Sequence, residues 1–245
     1  MSRWLDGKVI WAMAQRTFRH SVDSPIAYVV AIFFYGFVGF VFGGGYFAAN
    51  QASMISVSVL APWVLWFVIP ALTMGLISEE LRSGTFESLS TLPVRDWEIV
   101  LGKFLGFAML AGLLVLGLSF YAVLVGLTGP KTLAAEWGTT FGTLAALLAL
   151  CLLYGSIGLF ASSLAKSQVV CLIIGMVFCT VAFFIGQFYS LLPGGLGRLA
   201  DAVGVNSHME TLSRGVWDIR DLFSFTSITG LFLYLTVQRL ATRRF

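Results

Sequence analysis

Five of the 12 acidic residues in this chain fall within one short stretch, at Glu79, Glu80, Glu87, Asp96 and Glu98. Carboxylates at this density could serve acid–base or metal chemistry, but neither has its usual partners here. The sequence contains no HExxH, no GxSxG, no GxxxxGK[ST] phosphate loop and no paired carboxylates set to face a cleft. His20 and His208 fall in segments expected on opposite sides of a membrane. Cys151, Cys171 and Cys179 lie inside apolar runs, without a CxxC pair or a His-rich tract, and read as small packing residues. No catalytic residue and no metal site is therefore expected in this chain. What remains for the acidic stretch is recognition.

The stretch divides in three. An apolar helix enters it, runs to about Arg82 and stops at Gly84, the residue type best suited to follow a helix C-terminus. Thr85 can cap a short helix, Phe86 to Leu92, which Pro93 terminates. Phe86, Leu89 and Leu92 share one face of that helix, with Glu87, Ser88 and Thr91 elsewhere. Asp96 then caps the next long helix. A short, capped helix presenting three apolar side chains needs a partner surface; the alternative is a connector folded against the membrane. Long loops with ordered elements of their own tend to be functional.

The elements that must position this stretch are apolar. The chain is 58% hydrophobic and only 11% charged, with a mean hydropathy of +0.90. A soluble domain is nearer a quarter charged, so lipid is the expected solvent. A helical span needs roughly 20 apolar residues to cross a hydrocarbon core of about 30 Å. Charge-free runs occur at about 25–48, 57–77, 104–127, 138–165, 168–191 and 222–238. These predict an all-α integral membrane protein with six transmembrane helices in a single domain, 1–245. The fourth and fifth spans form a tight hairpin about Ala165-Lys166-Ser167. The N-terminus lacks the apolar core and cleavage site of a signal peptide, so the chain is expected to keep its start.

Eleven Lys and Arg residues fall on one side of this topology: Arg3, Lys8, Arg16, Arg19, Arg82, Arg95, Lys103, Lys166, Arg239, Arg243 and Arg244. Lys131, Arg198, Arg214 and Arg220 make four on the other. The positive-inside rule then places both termini in the cytoplasm of a cell (inner) membrane protein. Within 1–24, Ile10, Met13, Ala14, Thr17 and Phe18 line one face and cations the other, which predicts an interfacial amphipathic helix with its apolar face in the acyl boundary. Ser24-Pro25 supplies the N-cap and first turn of span one. Pairs such as Gly39/Gly43, Gly102/Gly106 and Gly138/Gly142 have GxxxG spacing, a weak signal among 26 glycines. No span carries an ionisable residue in its interior, which argues against a self-powered carrier and against a charged selectivity ring.

The residues Glu79, Glu80, Gly84, Thr85, Glu87, Leu89, Pro93 and Val94, followed by Glu98-Ile99-Val100-Leu101-Gly102-Lys103-Phe104, resemble the loop of ABC-2 type transporter permeases. Ser24 to Val30, Ser162 to Gln168 and Arg214 to Asp221 are similar to the gliding-motility (GldF-like) branch, with Trp217 and Phe223 as modest departures. The resemblance spans most of the chain, in order. It implies a permease subunit of an exporter, with no ATPase of its own and no cofactor in this chain. ATP and magnesium would be bound by a partner ABC ATPase subunit, and a second permease copy or homologue would complete the membrane unit. Phe86 to Leu92 would be the coupling helix within a coupling loop, 78–103, with Glu79, Glu80, Gly84, Thr85, Glu87, Pro93, Val94 and Lys166 beside it.

The segment 192–221 reads as an outer amphipathic helix before span six. Arg214, Gly215, Asp218, Arg220 and Asp221 could form an outer gate, a dock for an accessory protein or a solvated cap; Arg214, Asp218 and Asp221 are spaced for a surface ion pair. Membrane lipids are expected partners and nucleic acid is not. Two other classes stand beside the exporter: a mechanical relay that moves an outer partner with nothing crossing, and a self-contained channel or secondary carrier.

Overall fold

The computed structural model describes residues 7–49, 54–85, 94–128, 137–185 and 219–242, all of them in helices or the turns between helices. In chain order the helices are α1 (Gly7–Asp23), α2 (Pro25–Ala49), α3 (Met54–Thr73), α4 (Gly75–Ser83), α5 (Asp96–Thr128), α6 (Trp137–Leu164), α7 (Gln168–Ile185) and α8 (Ile219–Ala241). Helix is what an apolar chain must adopt in lipid, because each segment then satisfies its own backbone groups.

Among the described residues, Val59–Ser83, Asp96–Tyr121 and Thr140–Leu164 are long and apolar enough to cross a membrane. A fourth candidate is the bent pair of α1 and α2, which meet at 70°, and α7 is a shorter apolar helix. Helix α8 covers the run expected for span six. Its hydroxyls are folded back on its own carbonyls, Thr226 to Leu222 at 2.7 Å and Thr236 to Phe232 at 2.7 Å. That is how such groups are tolerated away from water.

Helix α6 is the centre of the bundle. Leu147, Leu150, Cys151, Leu153, Tyr154 and Ile157 are fully buried, and α3, α5, α7 and α8 all pack on it. Lipid gives helices little hydrophobic reason to associate, so close packing and hydrogen bonds carry the contacts. Small residues on α6 admit its neighbours: Gly155 lies against the Phe107 ring and Gly158 against Thr73. Outward, α2 shows Tyr28, Val29, Ile32, Phe33 and Phe40, and α7 shows Val169, Ile173, Val177 and Val181. Such apolar exteriors fit lipid or another membrane chain, not water.

The expected punctuation falls where it was placed. Helix α1 ends at Asp23 and α2 starts at Pro25; α6 ends at Leu164 and α7 starts at Gln168. Two expectations change. The start of α5 is tied by Glu98, whose Oε2 accepts from the Arg95 amide at 3.0 Å, and Asp96 is the first helical residue instead of the cap. Part of the face of α1 expected in the acyl boundary meets protein: Ala14 is 0% exposed and Met13 and Thr17 seat on Gly102 and Gly106 of α5. Those glycines have GxxxG spacing, and a stripe without side chains lets the two backbones meet.

A Cβ at Gly106 would stand 2.6 Å from Thr17 Cβ and 2.8 Å from the Ala14 carbonyl oxygen, whereas one at Gly112 would meet nothing within 4 Å. Gly106→Ala is therefore expected to force α1 off its seat and destabilise the protein by about 1–3 kcal/mol. Gly112→Ala should change little. Thermal unfolding of the two purified variants checks this, and equal melting temperatures would refute the seat.

Candidate functional site

The acidic stretch begins on α4, and α4 is fixed at two levels. The upper fixing is a break in the helix ladder. Helices α3 and α4 share an axis through Met74, which keeps right-handed helical angles (φ −55°, ψ −32°). The amides of Ile77 and Ser78 nevertheless turn to a side chain, the Ser162 hydroxyl of α6, at 2.9 and 3.0 Å. That hydroxyl donates to the Met74 carbonyl at 2.9 Å, so its one donor and two acceptor sites are all used. Thr73 bonds back to Ile69 at 2.9 Å, and Pro70 has no amide hydrogen to give. A side chain inserted in the i to i−4 ladder is a recognised cause of a helix break.

The lower fixing is a buried ion pair. Lys103 stands two turns into α5 and is 4% exposed. Its Nζ lies 2.8 Å from Glu80 Oε1 and donates to the Leu76 carbonyl at 2.5 Å. Burying an ammonium is unfavourable unless it is paired and hydrogen-bonded, and here both conditions are met across α4 and α5. On the outer side of α4, Glu79 Oε2 lies 3.6 Å from His20 Nε2 of α1, a solvated contact of little energetic weight.

Helix α4 then stops at Gly84, whose φ of 72° is left-handed, as a helix-ending glycine requires. Ser83 Oγ donates to the Glu79 carbonyl at 2.9 Å and lies 2.9 Å from the Thr85 hydroxyl. Glu79, Gly84 and Thr85 are exposed, and Glu80 and Val94 are half-buried at the two ends of the connection. The expected short helix, with Phe86, Glu87, Leu89, Leu92 and Pro93, lies outside the described residues. Lys166 is exposed in the α6–α7 turn, and that turn stands beside α4, since Gln168 Nε2 would meet a Cβ on Gly75 at 3.6 Å.

At the outer segment, Arg214, Gly215 and Asp218 also lie outside the described residues. Arg220 and Asp221 belong to the start of α8. Asp221 is 5% exposed, a buried position where a surface one was expected. Two uncharged polar groups of the spans bond to carbonyls or neighbouring helices. Ser119 bonds the Leu116 carbonyl within its own helix, and Thr180 accepts from Trp66 Nε1 at 3.0 Å. Among the described residues, no cluster of His, Cys, Asp or Glu could hold a metal ion.

Sequence reasoning did not single out Ser162, or Lys103 as a buried residue. For Lys103 a signal existed: a lone cation at the foot of an apolar run, across one connection from two adjacent glutamates. Lys103→Met should leave the Glu80 carboxylate buried and unpaired, at about 3–5 kcal/mol. The double variant Lys103→Met/Glu80→Met should recover most of that loss in thermal unfolding. A double variant as unstable as the sum of the singles would show that the pair is not coupled.

Among curated proteins no sequence matches this chain. The family model described as "ABC-2 family transporter protein" matches residues 10–244. The match takes in the α4–α5 connection and the bundle that holds it, and the chain belongs to the ABC-2 family of multi-pass membrane permeases, which have no ATPase activity of their own.

Proposed function

We propose that this chain is the membrane subunit of an ATP-driven exporter of the gliding-motility-like branch. It pairs with a second permease and is moved by a separate ATPase that docks on the 78–103 loop. In this reading α2, α3–α4, α5, α6, α7 and α8 are six spans, with both termini, α4 and the α6–α7 turn on the cytoplasmic side. The distribution of Lys and Arg, eleven against four, supports that orientation. The exposed apolar faces of α2 and α7 support a second membrane chain or lipid around them.

The observation that carries the proposal is the fixing of α4 to α5 by Lys103 and Glu80, on either side of the connection. A push delivered to residues 85–95 enters two long helices at once, and both pack on the central helix α6. ATP binding can then bias the membrane helices only through its differential contact with this loop, the requirement for any ligand-driven change. Phe86, Leu89 and Leu92 would fill an apolar groove on the ATPase, with Glu79, Glu80, Glu87 and Lys166 as polar contacts around it.

Phe86→Asp and Leu89→Asp are expected to abolish co-purification with the ATPase and to reduce transport at least tenfold, while the permease still inserts in the membrane. Measurement is by pulldown from solubilised membranes and by flux in proteoliposomes. Intact association in both variants would refute the coupling-helix assignment.

A further inference from the structure

The elbow between α1 and α2 borders two adjoining cavities. The larger, about 430 Å³, lies between α1, α4 and the foot of α5 and is lined by Arg16, His20, Asp23, Glu79, Glu80 and Lys103. The smaller, about 60 Å³, shares His20, Gly75, Leu76 and Glu79 with the first. From there it continues between Ser21, Ser24 and Gln168 on one hand and Ile26, Ala27 and Leu110 on the other. A charged chamber therefore leads into one of mixed polar and apolar lining. Both stand where α2, with Ile26, Tyr28 and Val29 exposed, leaves α1 at 70°. With α2 as the first span, as proposed above, this is the level at which a lipid headgroup meets its acyl chains.

The charges in the larger chamber are incompletely matched, with both signs left over. Lys103 and Glu80 Oε1 neutralise each other at 2.8 Å, and His20 is 3.6 Å from Glu79. Among the described residues Arg16 and Asp23 have no ion-pair partner, and the buried Glu80 Oε2 accepts no hydrogen bond. Three carboxylates against two permanent cations disfavour a purely anionic ligand. One free guanidinium beside free carboxylate oxygens favours a zwitterion.

We infer that this chamber binds the headgroup of an aminophospholipid of the phosphatidylethanolamine type. Arg16 takes the phosphate, a group its planar donors suit. The primary ammonium, with three N–H donors, serves the exposed carboxylates of Asp23 and Glu79, which both line the chamber. The glycerol end points into the smaller chamber. A choline headgroup has no N–H to give those carboxylates, and phosphatidylglycerol brings a negative charge with no ammonium, so the site discriminates among lipids of equal chain length. A lipid held there joins α1 to α4 and stiffens the α4 end of the bundle.

The test uses the purified full chain in detergent, without ATPase, so it does not depend on the proposed transport role. Micelles are doped with phosphatidylethanolamine, phosphatidylcholine or phosphatidylglycerol of matched chains. Phosphatidylethanolamine is expected to raise the melting temperature by about 5 °C at saturation, and the others by much less. Native mass spectra should retain one such lipid per chain. Arg16→Gln and Asp23→Asn, both at exposed positions outside the buried pair, should remove this difference and leave the melting temperature in detergent alone unchanged.

Equal protection by phosphatidylcholine, greater protection by phosphatidylglycerol, or protection that survives both variants would overturn the assignment. The same protection from soluble phosphoethanolamine or inorganic phosphate would show a small-anion or amine site and refute a lipid one.

Discussion

An ammonium group two turns inside an apolar helix must be neutralised where it stands, and the α4 end of this bundle is organised around that constraint. Lys103 reaches the Glu80 carboxylate and the Leu76 carbonyl, both on α4, so α4 cannot leave α5 without stranding a charge. Such a pair is a weak source of net stability compared with an apolar pair of the same shape. Its value lies in register. Only one axial position of α4 along α5 satisfies the lysine, and that position sets where Gly84 ends the helix and where the connection to α5 begins.

Stiffness alone would not let that connection act on the membrane helices; it also needs a place to yield. The ladder interruption at Ile77 and Ser78 supplies one, immediately above the ion pair. Ser162 leaves no polar group there unsatisfied, because one hydroxyl replaces the bonds the helix forgoes. The break is therefore inexpensive to maintain in an apolar setting, yet its bonds run to a different helix, α6. Motion of α4 relative to α3 is registered directly on the central element of the bundle. In the proposed coupling, a force applied at the end of α4 would reach α6 by this route.

Much of this was legible in the sequence, and the division follows physical range. Local punctuation read well: Gly84 for a left-handed stop, Ser24-Pro25 for the elbow, Ala165-Lys166-Ser167 for the hairpin. Each works through its own backbone preferences. Long-range choices did not read. Gly102 and Gly106 had the right spacing for close contact, but nothing local named α1 as the partner. Ser162 is one hydroxyl among many, and only the three-dimensional approach of α6 to Met74 gives it a task. Lys103 fell just outside a charge-free window that began at 104, so it was counted among the cations of the cytoplasmic loop and not as a buried residue. Asp221 was placed at the surface from its spacing to Arg214 and Asp218, while its burial is decided by packing. The short helix from Phe86 to Leu92 rests on sequence and family resemblance.

Successive residues at the foot of α5 serve different neighbours. Gly102 and Gly106 face α1, and Lys103 between them faces α4. Positions one apart on a helix point about 100° apart, so α5 meets α1 by close backbone packing and α4 through the lysine side chain. The connections from α1 toward α2 and from α4 toward α3 pass through interrupted helix: the 70° turn at Ser24 and the ladder break beyond Met74. Helix α5 alone runs on without interruption. In the proposed coupling, displacement of the α4 end would therefore be felt as tilt of α5 against α6. Independent movement of single helices would break the glycine seat or the lysine pair.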